Sequence, residues 1–364
     1  MYKKIIALIC VLATILLVWQ MPALLSNYPI NRDGDIHNKQ WEGVVRVWVC
    51  QDLRSSFNSW LSKQIAAFEK ANKSVNVRVM NVRPNEWERE GVVLPDVLLF
   101  SCGTMNDPEN WLIPFGQTDL FQAEALRSAR WMGEQYALPV AMGGYAVMYN
   151  DSIFPLGSEL TNPASVKKQP RYALHASGSS ALAALLGWAD GVDAVRSLKL
   201  PNNFGTATND QVYAAFTAGN IGAIVTPVDY VRKFAAREAA GKGFTYHVET
   251  PLSGFNDQLI YIARMDNGTV AARQAMADKL VWYLTSKSSQ DALPQYGLLP
   301  TLIGSTPPGK SAPTLAALFD TYQDSLAAPN TFGWQAVKQD FINQSLHALK
   351  NDVSAIDDTI EMVR

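Results

Sequence analysis

Residues 136–151 read Y-A-L-P-V-A-M-G-G-Y-A-V-M-Y-N-D, and this stretch decides the fold. The Gly143-Gly144 pair separates two short apolar runs, and Pro139 precedes it. Glycine lets a backbone bend or approach another group closely, so the pattern predicts two extended segments with a change of direction between them. We interpret the pair as a hinge in the first crossing between two lobes. A buried hairpin with a glycine bulge is the alternative.

The residues before this stretch predict an open α/β sheet. Trp60, Leu61, Ile65 and Phe68 recur at helical spacing, and the runs on either side are β-branched and apolar. Strand, helix and strands follow one another in this region, which is the order expected of such a sheet. The predicted elements are a strand at 44–49, a helix from Ser55 or Ser56 to Ala71, and strands at 75–82 and 96–100.

The residues after it repeat this logic and then become helical. The loop from Pro251 to Asn256 is predicted to be the return crossing, and no internal repeat is visible. The predicted strands lie at 172–174, 221–226, 244–249 and 259–263. The predicted helices lie at 179–188, 211–218, 270–285, 289–293, 313–325, 334–350 and 355–363.

Length and charge exclude several classes of protein. With 364 residues, 48% of them hydrophobic and 18% charged, the chain is long enough for two or three domain-sized cores. A net charge of -2 without a lysine-arginine cluster predicts no nucleic-acid partner. The four histidines are scattered in sequence, so we predict neither a metal site nor a cofactor.

The N-terminus predicts a membrane-targeting segment. Lys3 and Lys4 precede an apolar run that continues to residue 25 with interruptions at Gln20 and Pro22. We expect residues 1–25 to be an uncleaved signal anchor, with a cleaved signal peptide as the alternative. The residues before Cys10 do not form the lipobox of a lipoprotein, because Ile9 stands where a small residue is needed. Residues 26–43 are polar and predict a tether.

No pattern of catalytic residues is visible. A nucleophile elbow, a Walker loop, a Rossmann fingerprint and a zinc signature are all missing from the sequence. Asp52, Asp96 and Asp229 are candidate carboxylates, but their separation in sequence does not define an acid pair. The segments after predicted strands instead combine hydroxyls, amides, carboxylates and aromatic rings. This mixture suits binding of a small polyol without catalysis.

Seven motifs in order carry a resemblance to a known family. They are V-V-R-V-W-V at 44–49, F-E-K-A-N-K-S-V-N-V at 68–77, L-P-D-V-L-L-F at 94–100, A-L-P-V-A-M-G-G-Y-A-V-M-Y-N at 137–150, A-A-F-T-A-G-N-I-G-A-I-V at 214–225, L-V-W-Y-L-T-S-K-S-S-Q at 280–290 and Y-G-L-L-P-T at 296–301. The chain resembles the extracellular solute-binding proteins of ABC importers, in the carbohydrate-binding group that includes maltodextrin-binding proteins.

The resemblance implies a two-lobe α/β fold of periplasmic-binding-protein type II, with the ligand cleft between the lobes. We expect an N-lobe of residues 44–142 plus 257–312 and a C-lobe of residues 143–256 plus 313–364. Gly143 stands where the family can have an acidic cleft residue, which removes one expected acceptor for a maltodextrin. Asp229 stands where the family has a stacking aromatic, with Tyr230 beside it.

The same resemblance, together with the polar residues at strand ends, predicts the ligand contacts. Trp334 is expected to stack on the ligand from the far side of the cleft. The alternatives are that Asp52 caps a helix or loop and that Tyr145 and Trp334 are core aromatics. The predicted contacts are Gln51, Asp52, Ser101, Thr104, Tyr145, Ser177, Ser179, Asp229, Tyr230, Asn256 and Trp334.

Cys50 and Cys102 form the disulfide candidate. Each follows a predicted parallel strand, and the sheet order of the resembled family makes those strands neighbours. Export would allow oxidation, so a bond between them is one expectation. Two buried thiols beneath the cleft are the other.

The sequence therefore predicts a monomeric, membrane-tethered extracellular protein that binds a sugar or oligosaccharide for an ABC permease. A ligand-binding component of a membrane sensor and a secreted glycosidase are the alternative functions. Polyamine, anion and ferric binders share the expected architecture, so the class of ligand stays open at this point.

Overall fold

The computed structural model describes residues 41–50, 55–155, 174–178, 180, 204–250 and 254–351. The strands are β1 Gly43–Cys50, β2 Val75–Val82, β3 Val97–Ser101, β4 Leu112–Ile113, β5 Arg130–Trp131, β6 Glu134–Gln135, β7 Leu138–Met142, β8 Tyr145–Asn150, β9 Leu174–Ala176, β10 Ala223–Pro227, β11 Tyr246–Glu249 and β12 Leu259–Met265. The helices are α1 Ser55–Ala71, α2 Ala123–Arg127, α3 Asn209–Thr217, α4 Val228–Ala239, α5 Ala271–Leu284, α6 Lys287–Gln290, α7 Pro313–Ser325 and α8 Trp334–Asn351.

Two predicted helices lie outside the described residues, at 179–188 apart from Ser180 and at 355–363. The predicted anchor at 1–25 and the tether up to residue 40 also lie outside them. Among the residues that are described, no helix combines the length and the apolar composition needed to cross a membrane.

Six strands of the described chain form the first sheet, in the order β2-β1-β3-β12-β4 with β7 paired to β12. β1 runs parallel to β2 and β3, while β12 is antiparallel to β3. The helical spacing of Trp60, Ile65 and Phe68 brings these side chains into one buried cluster with alternate residues of β1. Each such side chain contributes about 1.5–3 kcal/mol on burial. The predicted strands and helix between 44 and 101 are confirmed.

The second sheet has the order β11-β8-β10-β9. β8 is antiparallel to both β10 and β11, and β9 is parallel to β10. α3 and α4 pack on this sheet through Phe216 and Phe234, whose ring centroids are 5.3 Å apart, and Phe244 contacts both rings. Both sheets are mixed, so the fold is a mixed α/β fold.

The helix α4 is not among the predicted elements. Asp229 and Tyr230 follow the predicted strand at 221–226, and the structure places both in the first turn of this helix. Pro227 stands at the N-cap, and Val228, Val231 and Phe234 form the buried face. The sequence did contain a signal for this helix, because Pro227 directly precedes apolar residues at the helical spacing i, i+3, i+6.

Gly143-Gly144 joins the two sheets. β7 pairs with β12 in the first sheet, and β8 pairs with β10 and β11 in the second. The hairpin alternative is therefore wrong, because β7 and β8 do not pair with each other. The chain returns to the first sheet between β11 and β12, where the Gly143 N–H donates to Gln258 O at 2.7 Å and Asn256 Nδ2 donates to Gly143 O at 3.2 Å.

Residues 326–333 are a third segment beside these two crossings. The Asn256 N–H donates to Ala327 O at 2.9 Å, and the Gly103 N–H donates to Thr331 O at 3.0 Å. The segment therefore contacts both the return crossing and the turn after β3. The chain passes from one sheet to the other near residues 143 and 257, which are the predicted lobe boundaries. The assignment of residues 313–364 to the C-lobe stays a prediction.

The carboxyl ends of strands in both sheets meet at the crossings. Ser101, at the end of β3, is paired with Ile260 at the start of β12. Pro227, at the end of β10, is paired with Tyr145 at the start of β8, and the Val228 N–H donates to Gly144 O at 2.9 Å. Ligands of open α/β sheets bind at such carboxyl edges. From this register we infer a cleft between the two sheets, with the crossings as its floor.

Gly144 is needed for space. A Cβ atom there would lie 2.8 Å from Tyr322 Oη and 3.0 Å from Leu318 Cδ1, both on buried positions of α7. We expect Gly144→Val to lower the free energy of unfolding by about 1–3 kcal/mol, because α7 must move away from the crossing. Urea denaturation measures the difference.

Gly116→Val is the matched control, because a Cβ atom at Gly116 meets nothing within 4 Å. Equal midpoints for the two valine variants would contradict the close approach at Gly144.

Candidate functional site

The first wall of the cleft is the turn after β3. The Thr104 N–H donates to Ser101 O at 3.1 Å, which closes the turn, and Met105 forms a parallel bridge with Phe332 of the third segment. Gly103 has φ +84°, and a Cβ atom there would lie 3.1 Å from Trp334 Cδ1. Glycine is required at this position both for its backbone and for space. The third segment thus fixes the predicted contacts Ser101 and Thr104.

The second wall follows β9 and begins α3. Ser177 Oγ donates to Asn209 Oδ1 and lies 3.4 Å from Ser180 Oγ. Thr208 caps α3 in a reciprocal capping box with Gln211, which fixes the position of Asn209 in the first turn. This wall therefore presents hydroxyl and amide groups at the carboxyl edge of the second sheet.

Aromatic rings extend the second wall. Tyr230 Oη donates to Asp210 Oδ1 at 2.8 Å, and the Tyr213 and Tyr230 ring centroids are 5.1 Å apart. Lys233 Nζ lies 3.9 Å from the Tyr230 ring centroid and 4.0 Å from Asp229 Oδ2. Lys233, one turn further along α4, therefore contacts both of the predicted residues, Asp229 and Tyr230.

The floor is organised around the Asp257 carboxylate. Four donors from described residues reach it: Tyr145 Oη, Gln258 Nε2 at 3.1 Å, Trp334 Nε1 at 3.2 Å and Lys338 Nζ at 3.3 Å. The side chain of Asp257 is 2% exposed, so these donors replace water around a buried charge. They come from both crossings and from α8.

Trp334 lies at this floor, beside the Asp257 carboxylate. It is 4% exposed, and its ring packs against Phe255 and Phe341 with centroids 6.4 and 6.1 Å away. Its indole N–H is held by Asp257. Stacking of Trp334 on a ligand stays a prediction, which the burial of the ring in this conformation does not support.

A polar cavity of about 190 Å³ opens beside Asp257. Its polar lining residues come from the turn after β3, from the return crossing and from α8. They include Ser101, Cys102, Asp257, Gln258, Gln335 and Lys338.

A larger groove of about 1040 Å³ lies beside the edge strand β11. Its lining is mainly apolar and comes from α4, β11 and the start of α7, including Val231, Tyr246 and Leu315. Of the predicted ligand residues that the structure describes, none lines this groove. We assign the functional site to the cleft, where hydroxyl, carboxylate and amide groups converge.

Cys50 and Cys102 are not joined by a disulfide in the structure. β1 and β3 are neighbours as predicted, but Val49 is paired with Leu99, so Cys102 lies two residues beyond the position opposite Cys50. This offset separates the Cα atoms by roughly 8 Å, outside disulfide range. Burial first, and then the Asp257 charge, raise the pKa of the Cys102 thiol well above its usual range. The thiol therefore stays protonated at neutral pH.

The structure gathers the predicted contacts into two groups. The first group lies at the first wall and the floor and comprises Ser101 and Thr104 in the turn after β3, together with Tyr145, Asn256 and Trp334. The second group lies on the second wall and comprises Ser177, Asp229 and Tyr230. Gln51, Asp52 and Ser179 lie outside the described residues. That any of these side chains contacts a ligand stays a prediction.

Sequence reasoning missed several site residues. Asp257 and Gln258 directly precede β12 at the return crossing, which was a usable signal. Lys338 lies one helical turn after Trp334, and Asn209 directly follows the N-cap of α3. Both residue types occur near the start of ordinary helices, so nothing in the sequence indicated that these two residues belong to a site. Within the described part of the chain, no group of three or more His, Cys, Asp or Glu side chains is placed to hold a metal ion.

The chain aligns with solved structures of sugar-binding and solute-binding proteins. The sugar-binding protein MalE of Xanthomonas citri aligns with a TM-score of 0.63 at 15% identity, over 88% of this chain and 96% of that chain. The extracellular solute-binding protein of Staphylococcus aureus, solved with maltose, aligns with a TM-score of 0.60 at 17% identity, over 89% and 98%. The chain has the fold of these two-lobe binding proteins.

The GacH receptor of Streptomyces glaucescens, solved unliganded and with acarbose, gives a TM-score of 0.58 at 17% identity over 88% of this chain and 96% of that chain. No family model and no curated protein sequence matches the chain. The predicted two-lobe α/β fold is therefore confirmed by structural similarity, and the ligand has to be argued from the site.

Proposed function

We propose that the protein binds a sugar or oligosaccharide in the cleft between the two sheets, outside the cytoplasm, and delivers it to an ABC importer without chemical change. The observation that carries the proposal is the convergence of two carboxyl edges on one crossing, with polar side chains on both walls and aromatic rings on the second. Amides and hydroxyls exchange hydrogen bonds with sugar hydroxyls, and aromatic faces cover the apolar face of a ring. The solved proteins of this fold bound to maltose and acarbose support the class of ligand.

The arrangement of acids supports binding without catalysis. The carboxylate at the floor, Asp257, is held by an ion pair and three further hydrogen bonds, so its oxygens are engaged within the protein and are not positioned as a general acid. Asp210 accepts from Tyr230 on the second wall. A hydrolase would need two carboxyl groups facing a scissile bond.

A thermal-shift screen of the full chain with sugars, polyamines and anions tests the proposal. A ligand that binds the native state alone stabilises it by about 2.7 kcal/mol at a hundred times its Kd, so a sugar should raise the melting temperature. Chromatography of the same samples should recover the sugar unchanged. Stabilisation by a polyamine or an anion instead of any sugar, or the appearance of hydrolysis products, would contradict it.

A further inference from the structure

Asp257 links the two crossings to α8, the helix that follows the third segment. Tyr145 starts β8 after the first crossing, Asp257 and Gln258 belong to the return crossing, and Trp334 and Lys338 follow the third segment in α8. Gln258 Nε2 also donates to Tyr145 Oη at 2.5 Å, which links the first two segments a second time. A carboxylate offers about four lone-pair sites. Four donors therefore leave Asp257 little capacity to accept a further hydrogen bond from a ligand.

Two of the four donors also face the cavity. Lys338 and Gln258 both line it, and the Lys338 side chain is 28% exposed while its amine stays 3.3 Å from Asp257 Oδ2. An ammonium group has three N–H donors, so one can remain on Asp257 while another reaches into the cavity. Ser101 and Gln335 add a hydroxyl and an amide to the same lining.

The cavity has the size of one sugar ring. Its volume of about 190 Å³ corresponds to roughly six water molecules at about 30 Å³ each. Lys338 offers donors to the cavity, and Ser101, Gln258 and Gln335 can each donate or accept, so the lining suits the hydroxyl groups of a single polyhydroxylated unit.

We propose that this cavity is a subsite for one sugar unit, read by Lys338 and Gln258, and that Asp257 is a positioning residue that links its occupation to the crossing segments. This inference rests on the proposed sugar binding. It adds where one sugar unit binds and which side chains bind it. A sugar oxygen that accepts from Lys338 or Gln258 competes with Asp257 for the same donors. Occupation of the subsite thereby changes the hydrogen bonds that hold Tyr145 and Trp334 at the floor.

Three variants of the full chain test this, with calorimetric titration of maltose and D-glucose as probes. Lys338→Met should weaken binding of the better probe by roughly tenfold or more, because a charged donor is lost. Asp257→Asn should weaken it as well, since the amide cannot hold Lys338 in place. Lys63→Met, which changes an exposed lysine of α1, is the control and should bind as the native protein does.

Hydrogen exchange supplies a readout that a merely structural role would not give. In the native protein, saturating sugar should slow amide exchange at 143–145 and 326–334. In the Asp257→Asn variant, once circular dichroism has shown that it is folded, saturating sugar should no longer slow amide exchange in these two segments. If the native protein binds neither probe nor any other sugar of the screen, the proposed function fails. If it binds a probe and both cleft variants behave like Lys63→Met, the function stands and this inference is overturned.

Discussion

Gly254→Ala is expected to lower the free energy of unfolding by more than about 3 kcal/mol, beyond the usual cost of an overpacked site. A Cβ atom at Gly254 would lie 1.5 Å from Ser325 O and 2.2 Å from Ser325 C. Both are backbone atoms at the end of α7, so no side-chain rotation relieves the clash. The Ala327 N–H donates to Gly254 O at 2.9 Å, and the adjacent Phe255 forms a bridge with Ala327. The substitution therefore separates the return crossing from the third segment.

Urea denaturation followed by circular dichroism measures this effect. Gly309→Ala is the matched control, because the nearest atom to its Cβ would be Ser311 Oγ at 3.8 Å. Reduced entropy of the unfolded chain should make that control neutral or slightly stabilising. Equal stability of the two alanine variants would contradict the backbone contact at Gly254.

Asp96→Ala is expected to cost about 3–5 kcal/mol of stability, because it leaves a buried cation without its partner. Asp96 Oδ2 lies 2.7 Å from Arg273 Nη2, and the two side chains are 1% and 7% exposed. The carboxylate also accepts from the Arg46 N–H at 2.7 Å and from Asn267 Nδ2 at 2.9 Å. Burial first, and then the Arg273 charge, lower the pKa of Arg46. The Asp96 charge opposes this shift, so the carboxylate pairs directly with Arg273 and also acts on the charge of Arg46.

Asp278→Ala is the control for Asp96→Ala. Asp278 pairs with Arg264 at 3.2 Å, with side chains 32% and 16% exposed, so solvent can replace the missing partner. Adding Arg273→Met to Asp96→Ala should recover part of the loss, since the buried positive charge is removed as well. A cost for Asp96→Ala no larger than for Asp278→Ala would contradict the role of the pair. Asp96 lies before β3, at the end opposite the cleft, so its role is structural and ligand binding is not expected of it.

Local patterns were enough to predict the two-sheet architecture. The apolar run at 145–150 and the β-branched run at 75–82 form strands because each fits a sheet on its own, and Trp60 and Phe68 lie on one face because helical spacing puts them there. The glycine pair marked the first crossing, since a bend between two apolar runs needs residues of this kind. α4 was missed because Pro227 resembles a strand end as well as a helix start.

The site could be predicted only as a set of strand ends. Which side chains meet at Asp257 depends on contacts 77 to 112 residues apart in sequence, as with Trp334 and Tyr145. The cysteine pair shows the same limit, because strand adjacency was predictable while the register that separates the two thiols was not. Trp334 has the size and position of a ligand platform in sequence, and only the packing shows its ring covered.

A crystal structure of the full chain grown with the sugar that most raises its melting temperature, or with saturating maltose if none does, tests the central claim most directly. We predict sugar density between the turn after β3 and the second wall, with one ring in the cavity lined by Ser101, Gln258 and Lys338. Sugar density in the groove beside β11, or no sugar density in the cleft at saturation, would contradict the account.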